Sequence, residues 1–241
     1  MKKKEILNRI IGSGFIANNF NKHIELFEKL NICAYAAGVS NSLCKSQDLL
    51  EKDKKRLFDF KNQILKNATL MYFSTCSIED PSRNQTPYVK NKLIIENYIK
   101  KNFAKYLIVR LPEVVGKSNN SNTLINFFFE KIKNKKTFEV WANASRNIIG
   151  IDDVIKILID LLLNKNVQNS TINIANPKNS LAKNIVDVFE KILMTKAEYN
   201  LVNKGHLDWK IDVGPIHEAI KNCKIDFGEN YLENILKKYF I

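Results

Sequence analysis

Short apolar runs alternate with longer amphipathic stretches through the first half of the chain, and this alternation constrains the fold more than any other feature. Ile6 to Ile11, Ile32 to Ala37, Thr69 to Phe73 and Tyr106 to Arg110 read as strands. Gly12-Ser13-Gly14-Phe15-Ile16-Ala17 opens a helix to about Leu30, a polar helix covers about Lys45 to Lys66, and a third runs from Pro87 to Asn102. Strands alternating with helices argue for an α/β architecture with a parallel sheet covered on both faces. The second half changes character. Thr123 to Lys133 reads as an apolar helix, Thr137 to Trp141 and Thr171 to Ala175 as strands, and Asp152 or Asp153 as the cap of a helix to Leu163. Helices near Leu181 to Leu193, Pro215 to Asn222 and Tyr231 to Tyr239 complete the chain. No linker, repeat or low-complexity segment interrupts it, so 1–241 is expected to be one domain. Within it, 1–110 alternates regularly and 111–241 is mixed.

The chain has 241 residues and is 45% hydrophobic, enough for a full core. It has no apolar run of transmembrane length. Met1-Lys2-Lys3-Lys4 imitates the start of a signal peptide, but Glu5, Asn8 and Arg9 break the apolar segment that should follow, so a cytoplasmic location is expected. Cys33, Cys44, Cys76 and Cys223 lack metal-ligand spacing, and His23, His206 and His217 form no metal motif. Cys76 reads as a core residue. The net charge of +13 favours anionic partners such as nucleotides or phosphosugars. Nucleic acid is the minority reading, because the lysines are spread along the chain without an Arg-aromatic stripe.

Tyr88 and Lys92 stand four residues apart at the start of a helix, so both groups lie on one face. Thr86 and Pro87 supply an N-cap hydroxyl and a proline at the first helical position. A free phenol ionises near pH 10 and is a poor base at neutrality. A neighbouring ammonium favours the phenolate, and lowering its pKa by about 3 units corresponds to roughly 4 kcal/mol. Just upstream, a strand ends in Ser74-Thr75-Cys76-Ser77, whose hydroxyls suit holding a substrate oxygen near the phenol. Ser74, Thr75 and Ser77 all remain open for that role, with Thr75 favoured. A tyrosine and lysine at this spacing usually form a solvated helix face, and the hydroxyl cluster sets this pair apart.

Gly12-x-Gly14-x-x-Ala17 lies between a strand and a helix, the setting in which a glycine loop and helix N-terminus meet a pyrophosphate. By itself such a loop is equally a tight turn. The acid that normally ends the next strand, and bonds the adenosine ribose, is missing from Cys33-Ala34-Tyr35-Ala36-Ala37-Gly38.

With these residues in hand, the chain resembles the extended short-chain dehydrogenase/reductase superfamily, in its NAD-dependent sugar epimerase/dehydratase branch. The resemblance runs nearly end to end. Gly12 to Ala17 is similar to the family's first loop. Ala36-Ala37-Gly38-Val39-Ser40 resembles the small-residue run ending its fourth strand. Ser74 to Ser77 resembles its catalytic Ser/Thr strand end, with Tyr88 and Lys92 as the pair. Arg110-Leu111-Pro112-Glu113-Val114-Val115-Gly116 is similar to its R-x-x-x-V-x-G loop. Asn122-Thr123-Leu124 resembles a helix start that contacts the nucleotide. Arg146 to Val154 resembles a segment whose Arg binds the nucleotide-sugar diphosphate, and Asn173-Ile174-Ala175 the strand that follows. The fourth-strand motif arrives only one helix after the glycine loop, which implies that part of the half-sheet holding adenosine is gone.

The resemblance implies a Rossmann-like doubly wound parallel sheet with a reduced number of strands, 1–110 being mainly the cofactor-binding core and 111–241 contributing a small C-terminal substrate-binding subdomain. It implies an NAD- or NADP-dependent reductase or epimerase of a nucleotide-diphosphate sugar, working in surface-glycan precursor synthesis. Tyr88, Lys92 and Thr75 are the expected catalytic residues. Gly12, Ser13, Gly14, Phe15, Ile16, Ala37, Gly38, Ser74 and Lys92 are expected to hold the cofactor, and Ser77, Asn122 and Arg146 the substrate. A homodimer through the tyrosine helix is a further expectation. The shortened cofactor half motivates the alternative: a non-catalytic nucleotide-sugar or dinucleotide-binding scaffold or sensor.

Overall fold

The structure is a computed structural model that describes residues 9–62, 64, 65, 67–118, 120, 123–207 and 209–241. In chain order its elements begin with β1 (Ile10–Ile11), α1 (Phe15–Phe20), α2 (Ile24–Lys29), β2 (Ile32–Tyr35), α3 (Gln47–Phe60), β3 (Thr69–Thr75), α4 (Pro87–Asn102) and β4 (Tyr106–Leu111). They continue with β5 (Glu113–Val115), α5 (Leu124–Lys133), β6 (Phe138–Trp141), β7 (Ser145–Gly150), α6 (Ile151–Asn164), β8 (Ser170–Asn173), β9 (Asn179–Leu181), α7 (Ala182–Leu193), β10 (Tyr199–Val202), α8 (His217–Asn222) and α9 (Tyr231–Phe240). They fall into two compact units. The first takes the residues up to Thr75, Gln85–Arg110 and Asn166–Ile172; the second takes Cys76–Asn84, Leu111–Lys165 and Asn173–Ile241.

The first unit is built on a five-stranded sheet in the order β1-β2-β3-β4-β8. β1 pairs parallel with β2, Ile10 opposite Ala34, and β2 pairs parallel with β3, Tyr35 opposite Tyr72. β2 is buried throughout and β3 almost throughout, as expected of strands covered on both faces. The core gathers Leu57 and Phe60 of α3, Ile95 and Ile99 of α4, and Cys33, Tyr35, Leu70 and Tyr72 of the sheet. β1 stands at the edge of the described sheet. This is the shortened, Rossmann-like arrangement that the resemblance implied.

Local chemistry sets the helix ends. Thr86 caps α4, its hydroxyl accepting from the Val89 N–H at 3.3 Å, with Pro87 at the first position as expected. Ser46 caps α3 in the same way. The helix expected from Phe15 to about Leu30 is broken by a 3-10 turn at Asn21–His23. Asn18 and Asn19 offer their side-chain amides to the Ser13 and Phe15 carbonyls, a competition with helix bonding that asparagine commonly brings.

In the second unit β5, β7 and β9 form one sheet and β6 pairs with β10. α5, α7 and α9 bury Phe128, Ile132, Ile185, Phe189, Ile235 and Leu236 in a common core with Val140 and Ile148. The expected capping of α6 by Asp152 or Asp153 is corrected. β7 runs directly into α6, so Gly150 takes the N-cap position and both aspartates fall within the first turn. There their charge still favours the helix N-terminus. Asp153 accepts from the Tyr231 hydroxyl at 2.7 Å, and Asp152 pairs with Lys238.

Candidate active site

α4 buries an unusually polar stripe: Tyr88, Asn91, Lys92 and Glu96 lie among Val89, Ile95 and Ile99. Lys92 is only 4% exposed. Its ammonium donates to the Phe73 carbonyl of β3 at 3.3 Å. It lies 5.0 Å from the centre of the Tyr72 ring and 5.7 Å from that of Tyr88, within reach of a cation–π attraction to both. Burial pulls the Lys92 amine below its ordinary value, while Asp53 and Glu96 push it back up. The sequence spacing therefore does bring phenol and ammonium to one place, and it fastens the ammonium to the end of the strand that carries Ser74 and Thr75.

The two small-residue segments converge on the same line. A Cβ on Gly12 would sit 2.5 Å from the Ala36 carbonyl oxygen and 3.0 Å from the Ala37 nitrogen. Gly12 also has a φ of +132°, so this position requires glycine for the β1-to-α1 turn itself. Gly14 is different: among the described residues nothing lies within 4 Å of the Cβ it lacks. Ser13 and Gly14 are exposed and Phe15 and Ile16 half-buried, and no side chain caps α1. A Cβ on Gly38 would come 2.8 Å from the Lys92 ammonium. Gly12, Ala37, Gly38, Lys92 and Tyr88 thus adjoin one another in turn.

The three hydroxyls part company. Ser74 donates to the Glu96 carboxylate at 2.6 Å, and Arg110 holds that carboxylate through both its oxygens. The Ser74 hydroxyl is committed to a side chain of α4. Thr75 is the buried last residue of β3. Ser77 lies in a half-buried 3-10 turn, Cys76–Ile78, of the second unit. Cys76 is buried with Ala175, Trp209 and Ile211, a core residue as expected.

Arg146, on β7 of the second unit, is 7% exposed. Its Nη1 donates to the Ser145 carbonyl at 2.7 Å and lies 3.6 Å from Asp80; its Nε is buried without a hydrogen-bond partner among the described residues. Burial and the like charge of Arg83 pull the guanidinium down to about 10, with Asp80 and Glu113 opposing, so it stays a cation at neutral pH. Burial pushes the Glu113 carboxyl up. Asn122 lies outside the described residues.

Sequence reasoning missed Asp53, Glu96, Asp80 and Arg83. One signal was available for Asp53: it occupies the apolar stripe of α3, between Leu50, Leu57 and Phe60, where a charge is out of place.

Comparison with known proteins shows what this chain is similar to. Residues 68–175 match the model of the NAD dependent epimerase/dehydratase family. The matched segment is less than half of the chain. The match to the epimerase/dehydratase model includes Thr75, Tyr88, Lys92 and Arg146 and begins after the glycine loop. No curated protein matches the chain. Among solved structures, a UDP-glucose 4-epimerase from Thermotoga maritima with UDP-glucose is 15% identical with a TM-score of 0.69, covering 96% of this chain and 97% of its own. RMD from Pseudomonas aeruginosa, complexed with NADPH, is 12% identical with a TM-score of 0.68, covering 95% and 98%. A UDP-glucuronic acid 4-epimerase from Bacillus cereus in complex with NAD is 18% identical with a TM-score of 0.65, covering 89% and 74%. At these identities the likeness is one of fold. Among the described residues no helix is long and apolar enough to cross a membrane, and no cluster suits a metal ion.

Proposed function

We propose that this chain is an NAD(P)-dependent enzyme that reduces or epimerises a nucleotide-diphosphate sugar. The observation that carries this reading is the buried Lys92 ammonium, fastened to the Phe73 carbonyl and placed between the Tyr72 and Tyr88 rings. A buried cation beside a phenol favours the phenolate and makes Tyr88 a competent acid/base near neutral pH. Tyr88 exchanges a proton with a hydroxyl or keto oxygen of the sugar. Thr75 orients that oxygen, since the Ser74 hydroxyl is bound to Glu96.

The residues fit a nicotinamide dinucleotide. The open space over Gly14 and the uncapped start of α1 leave room for a ligand at the end of β1. Gly12 to Ile16 with Ala37 and Gly38 would hold it, and Lys92 would hold its ribose. When bound, the dinucleotide supplies the hydride acceptor and donor. Arg146 is the diphosphate anchor: its buried, unpartnered Nε leaves one donor of a planar fork for phosphate.

Calorimetry with NAD(H) and NADP(H), followed by turnover of a nucleotide-sugar panel by wild type and Tyr88→Phe, tests the reading. Micromolar dinucleotide binding and loss of turnover in the variant support it. Full turnover by Tyr88→Phe overturns the assignment of Tyr88. The edge position of β1 favours a second reading, a nucleotide-sugar or dinucleotide-binding scaffold, because among the described residues no strand lies beyond it to cradle adenosine. Tight nucleotide-sugar binding without turnover across the panel would establish that one.

A further inference from the structure

Lys92 is buried, and a buried ammonium without a counter-charge loses its proton. Two carboxylates act on it. Glu96 is already occupied: Arg110 donates to both of its oxygens, at 2.9 and 2.8 Å, and the Ser74 hydroxyl adds a third bond at 2.6 Å. Asp53 of α3 is 2% exposed. Its Oδ2 accepts from the Val39 N–H at 3.3 Å and from the Asn91 amide at 3.4 Å. Its Oδ1 is buried and has no hydrogen-bond partner among the described residues. Buried polar atoms are seldom left this way. The Cβ that Gly38 lacks would lie 2.8 Å from the Lys92 ammonium and 3.5 Å from that same Oδ1. The unpartnered oxygen and the ammonium therefore converge on one gap, which only a glycine leaves open.

We propose that Asp53 is a positioning residue for Lys92: across the bare Cα of Gly38, its carboxylate is the counter-charge that keeps this buried lysine an ammonium. The other groups around Lys92 do not supply that charge. Tyr72 from β3 and Tyr35 from β2 are phenols held well above their ordinary range, by burial first and by Asp53 next. Tyr88 carries a charge only when ionised, and the proposed function makes that ionisation depend on the Lys92 charge, so it does not maintain it. Arg110 is bound to Glu96, and Arg56 donates to the Ala37 carbonyl at 2.8 Å. The charge on Lys92 is a physical property of the folded chain. Only its consequence, that Asp53 sets the pH range over which Tyr88 is activated, rests on the proposed function.

The test follows the lysine side-chain nitrogens by NMR through a pH titration of the full chain. Wild type, Asp53→Asn and Asp53→Glu are compared, with Lys92→Met to assign the resonance. The expected result is a fall of about one pH unit or more in the Lys92 midpoint for Asp53→Asn, a tenfold loss of proton affinity, with Asp53→Glu close to wild type. A midpoint unchanged by Asp53→Asn overturns the proposal. If Asp53→Asn does not fold, the side-chain carboxyl carbon of Asp53 in the wild type decides. A carboxylate at pH 7 supports the proposal and a protonated acid overturns it. None of these readouts uses turnover. If Tyr88→Phe keeps full turnover while Asp53→Asn shifts Lys92, the catalytic reading falls and this one stands; the converse pair of results removes Asp53 alone.

Discussion

Arg110 holds Glu96 in a two-point grip, Nε to Oε1 at 2.9 Å and Nη2 to Oε2 at 2.8 Å. Glu96 is buried on α4 one turn beyond Lys92, so this pair fixes the helix that carries the candidate chemistry. Arg110→Ala leaves a buried carboxylate without its partner and is expected to cost about 3–5 kcal/mol in urea unfolding. Arg110→Lys keeps the charge but not the planar fork, and should recover only part of that. A loss for Arg110→Ala no larger than an exposed ion pair gives, about 0.2–1 kcal/mol, would contradict the assignment.

The two loop glycines should separate structure from binding. Gly12→Ala forces a side chain onto a φ of +132° and into the Ala36 carbonyl. Backbone strain alone is about 1–3 kcal/mol, and the contact adds to it, so the melting temperature should fall sharply. Gly14 has a φ of −83° and open space around it. Gly14→Ala should leave stability within about 0.5 kcal/mol while weakening dinucleotide binding about tenfold, measured by calorimetry. Equal binding by Gly14→Ala and wild type would remove this loop from the cofactor site.

Ser74→Ala and Thr75→Val should also diverge. Ser74 donates to a buried carboxylate, a bond of the charged kind that contributes about 1.5–3 kcal/mol. Its loss should appear in denaturant unfolding, with turnover of the folded protein near wild type. Thr75→Val should lower kcat about 100-fold or more with little change in stability, once a substrate is identified. The opposite pattern would return the orienting role to Ser74.

Alkaline stability follows from the buried phenols. Burial holds the Tyr35, Tyr72, Tyr231 and Tyr239 hydroxyls above the ordinary phenol value, and aspartates beside them add to it. Each therefore keeps its proton in the folded chain at a pH where the unfolded chain has lost it. Their contribution is complete below about pH 10 and declines as the pH rises beyond it. Lys92 acts in the opposite sense: its lowered value disfavours folding at lower pH, and that cost is relieved as the pH approaches 10.5. Unfolding in urea at stepped pH should show stability falling steeply above pH 10, with the phenolate signal of these four tyrosines appearing only on unfolding. Ionisation of these phenols in the folded protein near pH 10 would contradict their burial.

What the sequence determined by itself was local and periodic. Alternating apolar runs gave the strands β1 to β4, because side-chain direction along a strand or helix follows from residue spacing. Thr86 and Pro87 marked the start of α4, and that start placed Tyr88 and Lys92 on one face. Capping and turn chemistry involve neighbours in the chain, so they can be read without the fold. Other features depended on residues far apart in sequence. Whether Ser74 was free turned on Glu96 and Arg110, and whether the Lys92 charge was compensated turned on Asp53, a helix and a strand away. The role of Gly12 turned on Ala36, against which β1 lies in the sheet. In each case burial and charge pairing were decided by which elements packed together, and no residue's own neighbours in the chain carry that information.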